Sequence, residues 1–401
     1  MDRRTHWLAL VCVLTLAATG CNSKLLRPPA TIYVDGGETT VTPAVQQTAA
    51  YPAVFLSYFP STVQLHAGDS VRFDIRYNGE PHTVAFGSLI DSALAGADKL
   101  GPQATVNAVE ALPEMQKIPD VLPRVVGTGD PKVNRSAAEP CFLDSGLPAN
   151  SPTGGTPPCA KRSQPAFDGR QSFYSSGFLS EGESFRVKLS SDIKPGTYRF
   201  MCLVHRTTMT GSIEIVRGSR PNVAQVKQAG RNEQRIVAAS VTTAGTDAAK
   251  RPNEPIQAGA GEPGVIRGFV SAFVPDRITV HTGEPLTWQL FEMHSISFRP
   301  SRQSRAGLVR RERNGDVKLN LDAWRAVGSP QPPPAAFAYP PPAKPVAVDG
   351  GTWSGDGVFS SGVLRASPPG TVTYTLRFSK PGTYAYQCVV HRAMRGRVIV
   401  A

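Results

Sequence analysis

Two stretches decide how this chain folds: KPGTYRFMCLVHRTTMTG (194–211) and KPGTYAYQCVVHRAMRG (380–396). Each opens on a Pro-Gly turn, continues as a strand-like run of aromatic residues, and closes with a Cys, a His and a Met on one short loop. Tyr198, Phe200 and Cys202 share strand parity in the first, and Tyr384, Tyr386 and Cys388 share it in the second. Aromatic rings belong in a core, so each thiol emerges at a strand end on the buried face.

Outward from these phrases the repetition widens. AVFLSYFPSTVQLHAGDSVRFDIRYNGEPHTVAF (53–86) matches GFVSAFVPDRITVHTGEPLTWQLFEMHSISF (268–298), and FDGRQSFYSSGFL (167–179) echoes VDGGTWSGDGVFSSGVL (348–364), in the same order in each half. Val71, Phe73, Ile75 and Tyr77 alternate with polar residues, as do Tyr374, Leu376 and Phe378. HAGDS and HTGEP are turns feeding strands. The pattern predicts an all-β fold of two tandem Greek-key β-sandwiches, 52–217 and 264–401, with long loop insertions. The insertions are 87–166, with helix-compatible VNAVEALPEMQKI, and 299–347, Arg-rich then Pro-rich and expected to be extended and mobile. The linker 218–263 carries a helix-compatible run, NVAQVKQAGRNEQRIVAASV, that either packs between the halves or spaces them.

Residues 1–20 read as an export signal: Arg3 and Arg4, then an apolar run from Trp7 to Ala18 too short to span a membrane comfortably. LAATGC resembles a bacterial lipobox, with Ala18 where Leu is commoner, and marks Cys21 for lipidation at the head of a polar tether, 21–51. The expected location is the outer face of the cytoplasmic membrane, with a secreted or periplasmic chain as the alternative. Cysteine usage fits export. Cys141 and Cys159, in one Pro/Gly/Ser-rich stretch, are expected to form a disulfide. The net charge of +12 favours an acidic or membrane-bound partner. No basic-aromatic interleaving points to nucleic acid.

Cys202 and Cys388 remain, and each has company. His82 shares parity with Val84 and Phe86, and His294 with Ile296 and Phe298, so both imidazoles point inward. His205 and Met209 follow Cys202, and His391 and Met394 follow Cys388. Each half therefore offers a thiolate, two imidazoles and a thioether. Two His and one Cys in a plane with a weak axial Met is the donor set of a mononuclear electron-transfer copper site. A lone buried Cys is more often a packing group, but two complete sets in matching order are hard to reach by packing alone.

Both halves resemble cupredoxins of the plastocyanin/azurin family, through the upstream PHTV/MHSI strand and the downstream C-x-x-H-x(2,3)-M-x-G loop. The resemblance implies type 1 copper ligands His82, Cys202, His205 and Met209 in the first half. In the second it implies His294, Cys388, His391 and Met394. Two coppers per chain, a redox partner protein, and His205 and His391 as electron ports toward that partner follow from the same likeness. Thr83 and Ser295 stand where many members carry Asn to pin the Cys loop, and their hydroxyls are expected to donate a similar bond.

The implied function is one-electron transfer outside the cytoplasmic membrane. Copper delivery or sequestration is the alternative. A copper oxidase or nitrite reductase-like enzyme is disfavoured, because it needs further histidines. Of seven His, only His66 and His281 lie outside the two sets and the signal. Both sit in matching turns, QLHAGD and TVHTGE, and no H-x-H pair occurs. No G-x-S-x-G, H-E-x-x-H or phosphate-binding glycine loop is present.

Overall fold

The computed structural model describes residues 29–34, 39–41, 51–76, 80–102, 104–122, 164–250, 255–261, 267–313, 317–340, 344–366 and 372–401. Each half is a β-sandwich. In the first, Tyr58–Phe59, Ala30–Val34, Ser70–Ile75 and Ser184–Lys188 form one sheet. The other is Thr62–Leu65, Arg206–Ile215, Gly196–Cys202, Ala85–Phe86 and Tyr174–Ser175. Their apolar faces meet through aromatic rings: Phe73 and Phe200 lie 5.1 Å apart, edge to face, and Tyr58 lies 4.9 Å from Phe200.

The second half repeats this plan. Ile256–Ala260, Leu286–Leu290, Val372–Phe378 and Val346–Trp353 run through one sheet. Arg277–Val280, Arg395–Val400, Gly382–Gln387, Ser297–Phe298 and Phe359–Ser360 form the other. Trp288 packs 5.5 Å from Tyr386 across the gap.

The repeated phrases have repeated physical reasons. Tyr198 and Tyr384, in the two KPGTY turns, donate their hydroxyls to the carbonyls of Lys194 and Lys380 at 2.9 and 3.0 Å. The glycine closing each phrase has no room for a side chain. A Cβ on Gly211 would lie 2.4 Å from the Phe200 ring, and one on Gly396 2.4 Å from Tyr386.

Three expectations need correction. The polar tether is a strand over Ala30–Val34, paired in parallel with Ser70–Ile75, with Ala30, Ile32 and Val34 buried. The boundary between the halves is not clean, because Tyr51–Phe55 pairs antiparallel with Gly268–Val274 of the second half. The 299–347 insertion packs where it is described. Val309–Arg311 and Val317–Leu319 form a hairpin, and Trp324, Ala336 and Phe337 are buried. An insertion helix not anticipated, Ser88–Leu100, buries Ile90, Ala93 and Leu94. Val106–Glu110 and Pro113–Gln116 are short helices within the stretch expected to be helical.

The linker run is a helix, Val223–Ala249, opened by a reciprocal cap between Asn222 and Gln225. It packs between the halves: Val237 and Val241 share a core cluster with Phe55 and Phe59 of the first half and Val270 of the second. No described helix is long and apolar enough to cross a membrane. Cys21, Cys141 and Cys159 lie outside the described residues.

Candidate metal centres

Each donor set is assembled from two directions. Cys202 ends the strand Gly196–Cys202, and the register shift between Met201 and Cys202 lets the chain turn directly into His205. His82 arrives from the opposite side, bridged to Leu179: its N–H donates to the Leu179 carbonyl and its carbonyl accepts from Leu179 N–H, at 3.3 and 2.8 Å. In the second half Met293–His294 pairs with Leu364–Arg365, placing His294 opposite Leu364.

A serine of the third repeated block holds each ligand strand. Ser176 accepts from Val84 N–H at 2.9 Å, and Ser361 accepts from Ile296 N–H at 2.9 Å. Thr83 and Ser295 pin the Cys loops as acceptors: Leu203 N–H donates to Thr83 Oγ1 at 2.7 Å, and Val389 N–H donates to Ser295 Oγ at 2.9 Å. Their backbone N–H groups point at the sulfurs, each 3.4 Å from Cys202 or Cys388 Sγ.

The donor atoms converge. His82, Cys202 and His205 form one group and His294, Cys388 and His391 another, with all ligand atoms of a group within 4.8 Å of one another. Nδ1 of His82 and His205 lies 3.9 and 3.6 Å from Cys202 Sγ, and Nδ1 of His294 and His391 lies 3.8 and 3.7 Å from Cys388 Sγ. Nδ1 of His391 and Nδ1 of His294 face each other at 3.0 Å. Two ring nitrogens can sit that close only with a proton or a cation between them. Met394 is fully buried on the loop after His391, whereas Met209, expected on the loop after His205, is fully buried within the strand Arg206–Ile215 that follows it.

The surroundings are dry. Cys202, His82 and His294 are fully buried, and His391 and Cys388 are 1 % exposed. Gly259, at φ +83°, lies under the His294 ring, where a Cβ would sit 2.4 Å from Nε2. Phe269 packs edge-on against His294 and His391 at 5.8 and 5.4 Å.

Electrostatics favour thiolates. Burial alone would raise the Cys202 thiol, but hydrogen bonds and charge from His205 and His82 hold it well below its usual value. Cys388 is held down in the same way by His294 and His391. Burial lowers His205 and His391, but bonds to the thiolates and to Glu80 push them up to about 10 and about 9. Burial lowers His294. The neighbouring imidazoles thus favour the thiolate at both cysteines, the form in which a thiol binds a metal.

Glu80 was not anticipated as a site residue. Its buried carboxylate reaches both halves: Oε2 is 3.0 Å from His205 Nε2 and Oε1 is 3.5 Å from His391 Nε2. Burial would raise this carboxyl, yet the two histidines hold it well below the usual range. A glutamate two residues before each inward His, Glu80 and Glu292, was the signal in the sequence. The counterpart Glu292 adopts φ 65°, and burial together with the Glu80 charge pushes its carboxyl up to about 7. The expected electron ports also need correction. His391 is buried and His205 nearly so, because the two loops face each other across the domain interface. His66 is tied to the distant Gly218, Nε2 lying 2.7 Å from its carbonyl.

No protein-family model matches the chain, and no curated relative matches it. Among solved structures it is similar to a dithionite-reduced auracyanin from Roseiflexus castenholzii, at 17 % identity over 40 % of this chain and 89 % of that one, TM-score 0.21. It is similar to an amicyanin from Paracoccus versutus at 17 % identity, over 38 % of this chain and 88 % of that one, TM-score 0.16. It is also similar to an oxidised plastocyanin from Dryopteris crassirhizoma at 18 % identity, over 37 % of this chain and all of that one, TM-score 0.17. All three are cupredoxins. Each match covers less than half of this chain.

Proposed function

We propose that each half holds one copper ion and that the chain carries single electrons. His82, Cys202 and His205 would ligate the first ion in a plane with Met209 as the weak axial donor. His294, Cys388, His391 and Met394 would do the same for the second. The observation that carries this reading is the convergence of two imidazole nitrogens and a thiolate within 4.8 Å, twice, in water-excluded surroundings. The donor chemistry fits: soft sulfur suits Cu(I), imidazole suits both oxidation states, and a set of two nitrogens with a thioether is a poor structural zinc site. Bound copper supplies a one-electron couple. The protein's part is to hold the donors still, through Thr83, Ser295, Ser176 and Ser361, so that little rearranges when the charge changes. Enclosed donors favour electron transfer over copper delivery, since handover needs an ion that a partner can reach.

A groove of about 500 Å³ beside Tyr386 and Gln387, one residue before Cys388, is lined by Arg277, Arg299, Arg395 and Arg397. It supports docking of an acidic redox partner. The signal over 1–20 and Cys21 support an exported, lipid-anchored chain, which acyl labelling of native and Cys21→Ala protein tests. The pairing of Cys141 with Cys159 belongs to the same reading and is tested by thiol counting under denaturing conditions.

Copper titration of the purified metal-free protein tests the function. Two equivalents should bind, with an intense thiolate-to-copper absorption and paramagnetic signals of strongly covalent sites. Binding of fewer ions, or of copper without that absorption, would contradict the reading.

A further inference from the structure

The two histidines expected to open toward a partner face each other instead, across a single carboxylate. His205 turns Nδ1 toward Cys202 and Nε2 toward Glu80, and His391 turns Nδ1 toward Cys388 and Nε2 toward the same Glu80. A carboxylate only accepts, so each Nε2 carries its proton and each Nδ1 is left for a metal. From one thiolate to the other, the chain of contacts runs 3.6, 3.0, 3.5 and 3.7 Å, through two aromatic rings and one carboxylate. The side chains of His205, Glu80 and His391 are 9, 2 and 1 % exposed, so water does not interrupt it.

Resting on the copper reading, we propose that Glu80 couples the two donor sets, so that one electron entering either half is shared with the other before it leaves the chain. In the internal step one half gives up one electron and the other gains it. Both Nε2–H protons stay on their nitrogens, and no bond is broken. The total changes only when an external one-electron donor or acceptor reacts. A clamp between the halves would need one imidazole; this carboxylate takes both. The short Glu80-Pro81-His82 segment fixes ligand and bridge on the same backbone. The negative charge beside both donor sets also favours the more positive, oxidised state of each, more strongly in a dry interface than in water.

The test compares native protein and Glu80→Gln, each loaded with two equivalents of copper. A brief pulse of a one-electron reductant leaves the population half-reduced, and the two absorption bands are followed in time. In native protein, redistribution between the bands should proceed at a rate independent of protein concentration. In Glu80→Gln both bands should persist, redistribution should slow at least tenfold, and both midpoint potentials should rise. Unchanged rates and potentials in the variant would overturn the proposal. So would redistribution in native protein that scales with protein concentration. If the variant does not fold, that concentration dependence decides alone. Two bands without internal exchange sink the bridge and leave the copper reading standing; absence of the bands sinks both.

Discussion

At the scale of single residues, the sites depend on hydrogen bonds that no ligand list contains. Thr83 Oγ1 and Ser295 Oγ satisfy the buried N–H groups of Leu203 and Val389, next to the two cysteines. Thr83→Val keeps the shape and removes the acceptor. Leaving that N–H unsatisfied should cost about 1–3 kcal/mol. Loosening the loop should weaken copper binding to the first half about 10- to 100-fold. Thermal unfolding of the metal-free protein and competition titration read the two effects, and Thr83→Ser should restore both. A valine variant as stable and as tight as native would show that the hydroxyl is incidental. The converging Cys and His residues were legible in the sequence, because strand parity and loop spacing are local. Glu80 was not, because its role arises from how two distant loops pack. Only its echo at Glu292 hinted at it.

At the scale of elements, the third repeated block shows what a repeat can conceal. YSSG and FSSG read only as an echo of one another, yet Ser176 and Ser361 each hold the strand that carries the upstream histidine. The long helix was legible as a helix-compatible run, but its reciprocal cap and which of its glycines matters were not. Gly230 lies against the backbone of Phe59 and Pro60, where a Cβ would sit 2.9 Å from the Phe59 carbonyl carbon. On an exposed helix Gly→Ala gains up to about 1 kcal/mol. Here overpacking against backbone, about 1–3 kcal/mol, outweighs it. Gly230→Ala should therefore lower the unfolding midpoint, and a raised midpoint would mean that the helix sits more loosely against the first half. The strand Ala30–Val34 escaped sequence reading for a different reason. Its alternation is only five residues long, and its parallel partner lies some way along the chain.

At the scale of the whole molecule, the halves share a sheet, a helix and a buried carboxylate, so they should respond together. Ligands that bind only the folded state stabilise it by mass action, about 2.7 kcal/mol per site at a hundredfold excess over Kd. Copper loading should raise the unfolding temperature, and chelation should return it to the metal-free value. A chelation-insensitive midpoint would mean that the ions do not bind the folded core. The arginine groove makes a separate claim. Electron exchange with an acidic protein partner should slow as salt rises, and Arg395→Gln with Arg397→Gln should flatten that dependence. Identical salt profiles would move the docking surface elsewhere.

The most direct measurement is copper titration of Cys202→Ser and Cys388→Ser, each followed by optical and paramagnetic spectra. Each substitution should remove one thiolate-to-copper band and leave the other, with one strongly bound ion remaining per chain. If either variant keeps both bands, or if one substitution abolishes both, the chain does not carry one such centre in each half.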